Sequence, residues 1–215
     1  LLKKPIAPSA VGLDLPAMNI IRVPRAMTEA EIYEQINRFA QTAQLAVEAG
    51  FDGVQVHAAH GYLLSQFLSP LANVRTDGWG GSPENRRRML IETVRAVRAA
   101  IGKDKIVSVK LNSADFQKGG LSQEESLQIA LALEAEGIDL LEISGGNYES
   151  PAQLGYAPDR STQRDAYFIN YATALRKQSK LPLMLTGGLR NTDLMNQIVS
   201  DGIVDLVGMA RPFAT

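Results

Sequence analysis

The chain has 215 residues, 45% of them hydrophobic and 21% charged, with a formal net charge of −1. That balance suits a globular domain and excludes an apolar-poor disordered chain. It also offers no run of about 18 apolar residues to span a bilayer and no basic stripe to hold nucleic acid phosphates.

There is no cysteine, so disulfides, thiolate catalysis and Cys-held zinc or iron–sulfur sites are excluded for this segment. The first residues, LLKKPIAPSAV, lack the apolar core of a secretory signal. A cytoplasmic enzyme is the expectation.

From Thr28 onward two textures alternate. Residues 29–48 place Ile32, Ile36, Phe39, Ala43 and Val47 in helical register. Thr28 and Glu31 have the spacing of a capping box, and Gly50 suits the helix stop. Further helices are expected over 85–101, 123–136, 167–178 and 192–200. Short runs rich in Val, Ile and Leu predict strands over 53–57, 106–111, 140–144, 183–186 and 204–209. Near-continuous apolarity is the texture of parallel strands covered on both faces.

A phrase recurs at the helix-to-strand joints: Gly50-Phe51-Asp52, Gly137-Ile138-Asp139 and Gly202-Ile203-Val204-Asp205. Alternating helix and strand make the chain α/β with a parallel sheet in one domain. Two features favour a TIM (β/α)8 barrel over an open sheet. No GxGxxG follows the first strand. The unusual polar residues gather at the C-terminal ends of strands, where barrel chemistry sits. Five strands alone are too few to close a barrel.

Both histidines of the chain lie in VHAAHGYLL, at the end of the first long strand. His57 and His60 can be a polar loop pair, metal ligands, or donors that polarise a carbonyl oxygen. The metal reading lacks further ligands nearby in sequence. Tyr62 can supply a proton, and the three groups together suit reduction of an alkene conjugated to a carbonyl.

The long Gly-rich loop after it holds the sole Trp and is either functional or a structural lid. Ser82 can cap the helix that follows. Lys110, on an otherwise apolar strand, must pair with a carboxylate, face an anionic ligand or form a Schiff base. Gly187, Gly188, Ala210 and Arg211 end the last two strands and suit a phosphate.

Two segments resemble the old yellow enzyme family of FMN-dependent NAD(P)H:flavin oxidoreductases: GFDGVQVHAAHGYLLSQFLSP over residues 50–70 and NVRTDGWGGSPENR over 73–86. The resemblance runs the length of the chain. It implies strands four to eight of an eight-stranded barrel, truncated at both ends, so that residues 1–215 form the C-terminal part of one FMN-binding domain.

It further implies hydride transfer from NADH or NADPH through flavin to an activated alkene, an enone or enal. His57 and His60 would hold the substrate carbonyl and Tyr62 would protonate the α-carbon. Lys110 would lie near the flavin N1 and C2 oxygen, where the family usually has Arg. Gly187, Gly188, Ala210 (a Gly in much of the family) and Arg211 would hold the FMN phosphate.

The partners expected are a small-molecule substrate and, compatible with the family, further copies of the chain. No nucleic acid, membrane or metal is expected. Two rivals stand beside this reading: a Schiff-base lyase using Lys110, and a non-catalytic barrel fragment that serves in assembly.

Overall fold

The computed structural model describes residues 4–13, 22–150 and 165–210. Two parallel sheets are formed. The small one pairs β1 (Ile6–Ala7) with β2 (Arg25–Ala26). The large one has β3 (Gly53–Ala58), β4 (Ile106–Asn112), β5 (Leu140–Ser144), β6 (Leu183–Thr186) and β7 (Leu206–Gly208).

All its neighbours are parallel and follow chain order, β3-β4-β5-β6-β7. A doubly wound sheet reverses direction at a switch point. This one does not, and successive βα units progress one way, as in a barrel.

The helices are α1 (Glu29–Glu48), α2 (Leu63–Leu68), α3 (Pro83–Ile101), α4 (Gln123–Ala135), α5 (Ile169–Arg176) and α6 (Thr192–Ser200). None among the described residues is long and apolar enough to cross a membrane. The capping box of α1 is present with both bonds, and Ser82 caps α3.

Sequence patterning misses two features. α2 has six residues, too few to show a helical period. β1 and β2 have two residues each, below the length at which alternation is visible.

The sheet has two unlike faces. Val56, Val107, Val109, Leu111, Leu141, Ile143, Leu183 and Leu185 are buried in the hydrophobic core with the helices. The residues between them, Gln55, His57, Lys110, Glu142 and Thr186, carry polar groups on the other face. Strand side chains alternate, so the same four strands, β3 to β6, serve an apolar layer and a polar one.

The repeated joint has a mechanical role. Gly50, Gly137 and Gly202 all have positive φ (96°, 73° and 67°), the conformation that ends a helix at least expense with Gly. At two joints the following Asp then clamps the preceding strand. Asp139 Oδ2 accepts from Val107 N at 2.7 Å, and Asp205 Oδ2 from Leu183 N at 2.8 Å. Each also pairs with an arginine, Arg98 or Arg176. Gly53 answers a different need, because a Cβ there would lie 2.3 Å from Ile106 O, inside the β3–β4 ladder.

The Gly-rich loop is a clasp. Arg75 Nη1 donates to Pro8 O at 2.8 Å and Met27 O at 2.7 Å, and Val74 N donates to Ser9 Oγ. Asn73 Nδ2 donates to Phe67 O and Trp79 O, both at 2.8 Å. Trp79 is buried, and Arg86 reaches Leu68 O, Gly81 O and Glu125. These contacts favour the structural reading of the loop.

Candidate active site

β3 delivers His57 to the rim, and the chain then turns sharply. His60 has φ 62° and Gly61 φ 79°. A non-glycine residue with left-handed backbone needs bracing. Asn112, at the end of β4, supplies it: its Oδ1 accepts from His60 N at 3.1 Å, while its Nδ2 donates to Gly146 O at 2.9 Å. The His60 ring is fixed by a 2.7 Å hydrogen bond between Nε2 and Ser144 Oγ. Thus β3, β4 and β5 together set one imidazole.

His57, His60 and Tyr62 converge. The two imidazole centroids are 5.3 Å apart at 74°, and the Tyr62 ring lies 5.0 Å from that of His57. Tyr62 is about half exposed and packs edge-on against Tyr148, 5.5 Å away. Among the described residues the ring nitrogens of His57 have no hydrogen-bond partner, so they are free to meet a ligand.

Lys110 is beside His57 in register. Its Nζ is 2.8 Å from Glu142 Oε1, and the Glu142 side chain is 7% exposed. Thr186 Oγ1 donates to the same oxygen at 2.7 Å, and Gln55 Nε2 to Oε2 at 2.9 Å. Of the three readings of Lys110, pairing with a carboxylate is therefore the one realised among the described residues. A Schiff-base nucleophile needs a free amine lone pair, whereas this nitrogen is committed to a carboxylate.

Both imidazoles are held neutral. Burial lowers the pKa of each, and the Lys110 charge lowers it further; His60 falls from 6.5 to about 4. A neutral imidazole offers one N–H donor. Burial alone would raise Glu142, but its bonds from Lys110 and Thr186 outweigh that and bring it below the ordinary carboxylate value.

The His60 shift makes a stability prediction. Between pH 6.5 and about 4 the unfolded chain binds a proton there that the folded chain does not. Stability must therefore fall as pH falls through this window. His60→Asn, which tolerates the left-handed backbone, is expected to flatten the denaturation midpoint against pH over that range. An unchanged slope would contradict the assignment.

At the end of β6, Gly187 and Gly188 have φ 112° and 70°. A Cβ on Gly188 would meet the Tyr167 ring at 2.5 Å, and one on Gly187 the Phe168 ring at 2.8 Å. Only glycine permits this turn. Ala210 is exposed just past β7, and Arg211 lies outside the described residues.

A cavity of about 330 Å3 lies between the segment around Pro5–Leu13 and α2. Gly61 and Tyr148 line it, but neither histidine nor Lys110 does. Among the described residues no group of three His, Asp or Glu side chains is placed to hold a metal ion.

The sequence model of the NADH:flavin oxidoreductase / NADH oxidase family matches residues 2–215. The chain belongs to this family.

Its relatives in the NADH:flavin oxidoreductase family include the NADH-dependent flavin oxidoreductase nadA of Aspergillus parasiticus, 41% identical over 98% of this chain and 48% of the relative. An NADPH dehydrogenase of a Geobacillus species is 36% identical over 96% of the chain and 56% of the relative. The old yellow enzyme homologue of Zymomonas mobilis superposes with a TM-score of 0.79 at 29% identity, covering 98% of this chain and 58% of that one. The chain thus spans about half the length of these proteins. Its fold class is theirs, a TIM barrel, represented by five successive strands. The family uses FMN with NADH or NADPH as reductant.

Gln55 and Glu142 escape inspection of the sequence, whereas Asn112 and Ser144 are among the polar residues that mark the strand ends; all four shape the constellation. One signal was available for Glu142. The cost of burying a charge, which singles out Lys110 on its strand, applies equally to a Glu inside Leu140-Leu141-Glu142-Ile143.

Proposed function

We propose that this chain is the C-terminal part of one FMN-binding TIM-barrel domain in a flavin-dependent enzyme. The enzyme passes hydride from NADH or NADPH to an alkene conjugated to a carbonyl. The observation that carries the reading is the neutral imidazole of His57, its ring nitrogens unpartnered among the described residues, packed against His60 and Tyr62. Neutral N–H donors directed at a carbonyl oxygen stabilise charge that develops there.

The donor set fits FMN. Lys110 provides a cation on the polar face, and Gly187 and Gly188 form a tight left-handed turn at the end of β6. Ala210 and Arg211 would complete the phosphate contacts. FMN, when bound, supplies the two-electron chemistry. His57 and His60 would hold and polarise the substrate carbonyl. Tyr62 would deliver the proton from its hydroxyl to the α-carbon. Lys110 would oppose negative charge on the flavin pyrimidine.

The test uses the full-length protein. Its purified form is expected to be yellow, to bleach with NADH or NADPH under anaerobic conditions, and to recolour when an enone is added. A full-length protein that binds no flavin would defeat the proposal.

A further inference from the structure

Glu142 stands out because burying a carboxylate opposes folding unless partners compensate. Here they come from three other strands: Gln55 on β3, Lys110 on β4 and Thr186 on β6. An apolar residue of similar size would serve stability about as well. The network lies on the face that bears His57 and His60, and both imidazoles feel the Lys110 and Glu142 charges with opposite sign.

Lysine is a flexible point charge without the planar fork of arginine. Alone, its ammonium would wander over the polar face. A carboxylate fixed by Thr186 on one oxygen and Gln55 on the other removes that freedom. It also makes the pair neutral overall, so a bound group meets a tempered cation.

We propose that Glu142 is a positioning residue that fixes the Lys110 ammonium and moderates its charge toward the flavin. This rests on the flavin reading above. Removing the carboxylate should leave a full positive charge beside the reduced, anionic flavin. Removing the lysine should leave the negative partner. The two substitutions therefore act in opposite directions on the balance between reduced and oxidised flavin.

The experiment is spectroelectrochemical titration of bound flavin in the full-length protein, with flavin affinity measured by fluorescence quenching. Glu142→Gln is expected to favour the reduced form on the order of tenfold relative to wild type, about 30 mV for a two-electron couple. Lys110→Met is expected to shift the potential the other way, and the double variant to return close to wild type.

A purely structural role predicts instead that both single variants lose flavin affinity and that the double is no better. That pattern, or a Glu142→Gln potential equal to or below wild type, overturns the proposal. Should Glu142→Gln fail to fold, Glu142→Asp draws the carboxylate back by one methylene. It is expected to raise the potential by a smaller amount, and no rise overturns the proposal equally. Absence of flavin from the wild-type protein would instead refute the underlying flavin reading.

Discussion

Tyr62→Phe is expected to slow reduction of an enone by about 10²–10⁴-fold, the usual worth of a positioned general acid. Bleaching of the flavin by NADH or NADPH should persist, since the phenol has no part in that half of the cycle. The geometry supports the separation. Tyr62 is half exposed, lies 5.0 Å ring to ring from His57, and forms no side-chain cap on α2. Its removal leaves the histidines and the strand ends in place. Tyr148 is pushed up to about 12, first by its hydrogen-bonding interaction with Tyr62 and then by burial. It stays protonated at neutral pH. Anaerobic stopped-flow measurement of the two half-reactions checks this. Equal slowing of both halves would count against Tyr62 as the proton donor.

Trp79→Ala should destabilise the protein by about 3–5 kcal/mol, the range for truncating a fully buried Trp. Trp79 is 1% exposed. Its Nε1 donates to Glu29 Oε1 at 3.0 Å, the Arg88 guanidinium sits 4.1 Å over its ring, and Tyr33 meets it edge-on at 5.3 Å. One side chain therefore joins the Gly-rich loop to α1 and α3. Trp79→Phe keeps most of the buried ring and loses the indole donor, so it should cost much less. Denaturant unfolding followed by circular dichroism measures both, because the substitution removes the chain's single Trp as a fluorescent reporter. A loss below about 1 kcal/mol in Trp79→Ala would show that the clasp closes without it.

The parts of the fold visible in the sequence are those set by local periodicity. α1 and α6 occupy the predicted residues, and β5 and β6 match theirs as well. The apolar strands announce themselves because helices cover one face while the other face is only intermittently polar. β7 is shorter than its apolar run, because Val204 packs in the core before the ladder begins.

The site divides in the same way. His57, His60 and Tyr62 lie within six residues and share one turn, so a linear motif carries them. The Glu142 network does not, since Gln55 and Glu142 are separated by 87 positions and meet only when four strands align. Likewise Asn112 supports the His60 backbone from another strand, and nothing near it in sequence announces that duty.

The register row His57, Lys110, Glu142, Met184, Leu206 runs straight across the five strands. Because neighbouring residues face opposite sides, membership of the chemical surface is a matter of parity along each strand. Inserting one residue early in β4 would send the Lys110 ammonium into the hydrophobic core beneath the helices and turn Val109 or Leu111 toward the histidines. The protein would lose its cation and its core at once. Length changes are therefore tolerable only in the connections beyond the strand ends, whereas identity can vary at polar-parity positions with the apolar layer unaltered. A recombination experiment that swaps loops after β4 or β5 preserves this frame; one that joins fragments inside a strand must keep the count even.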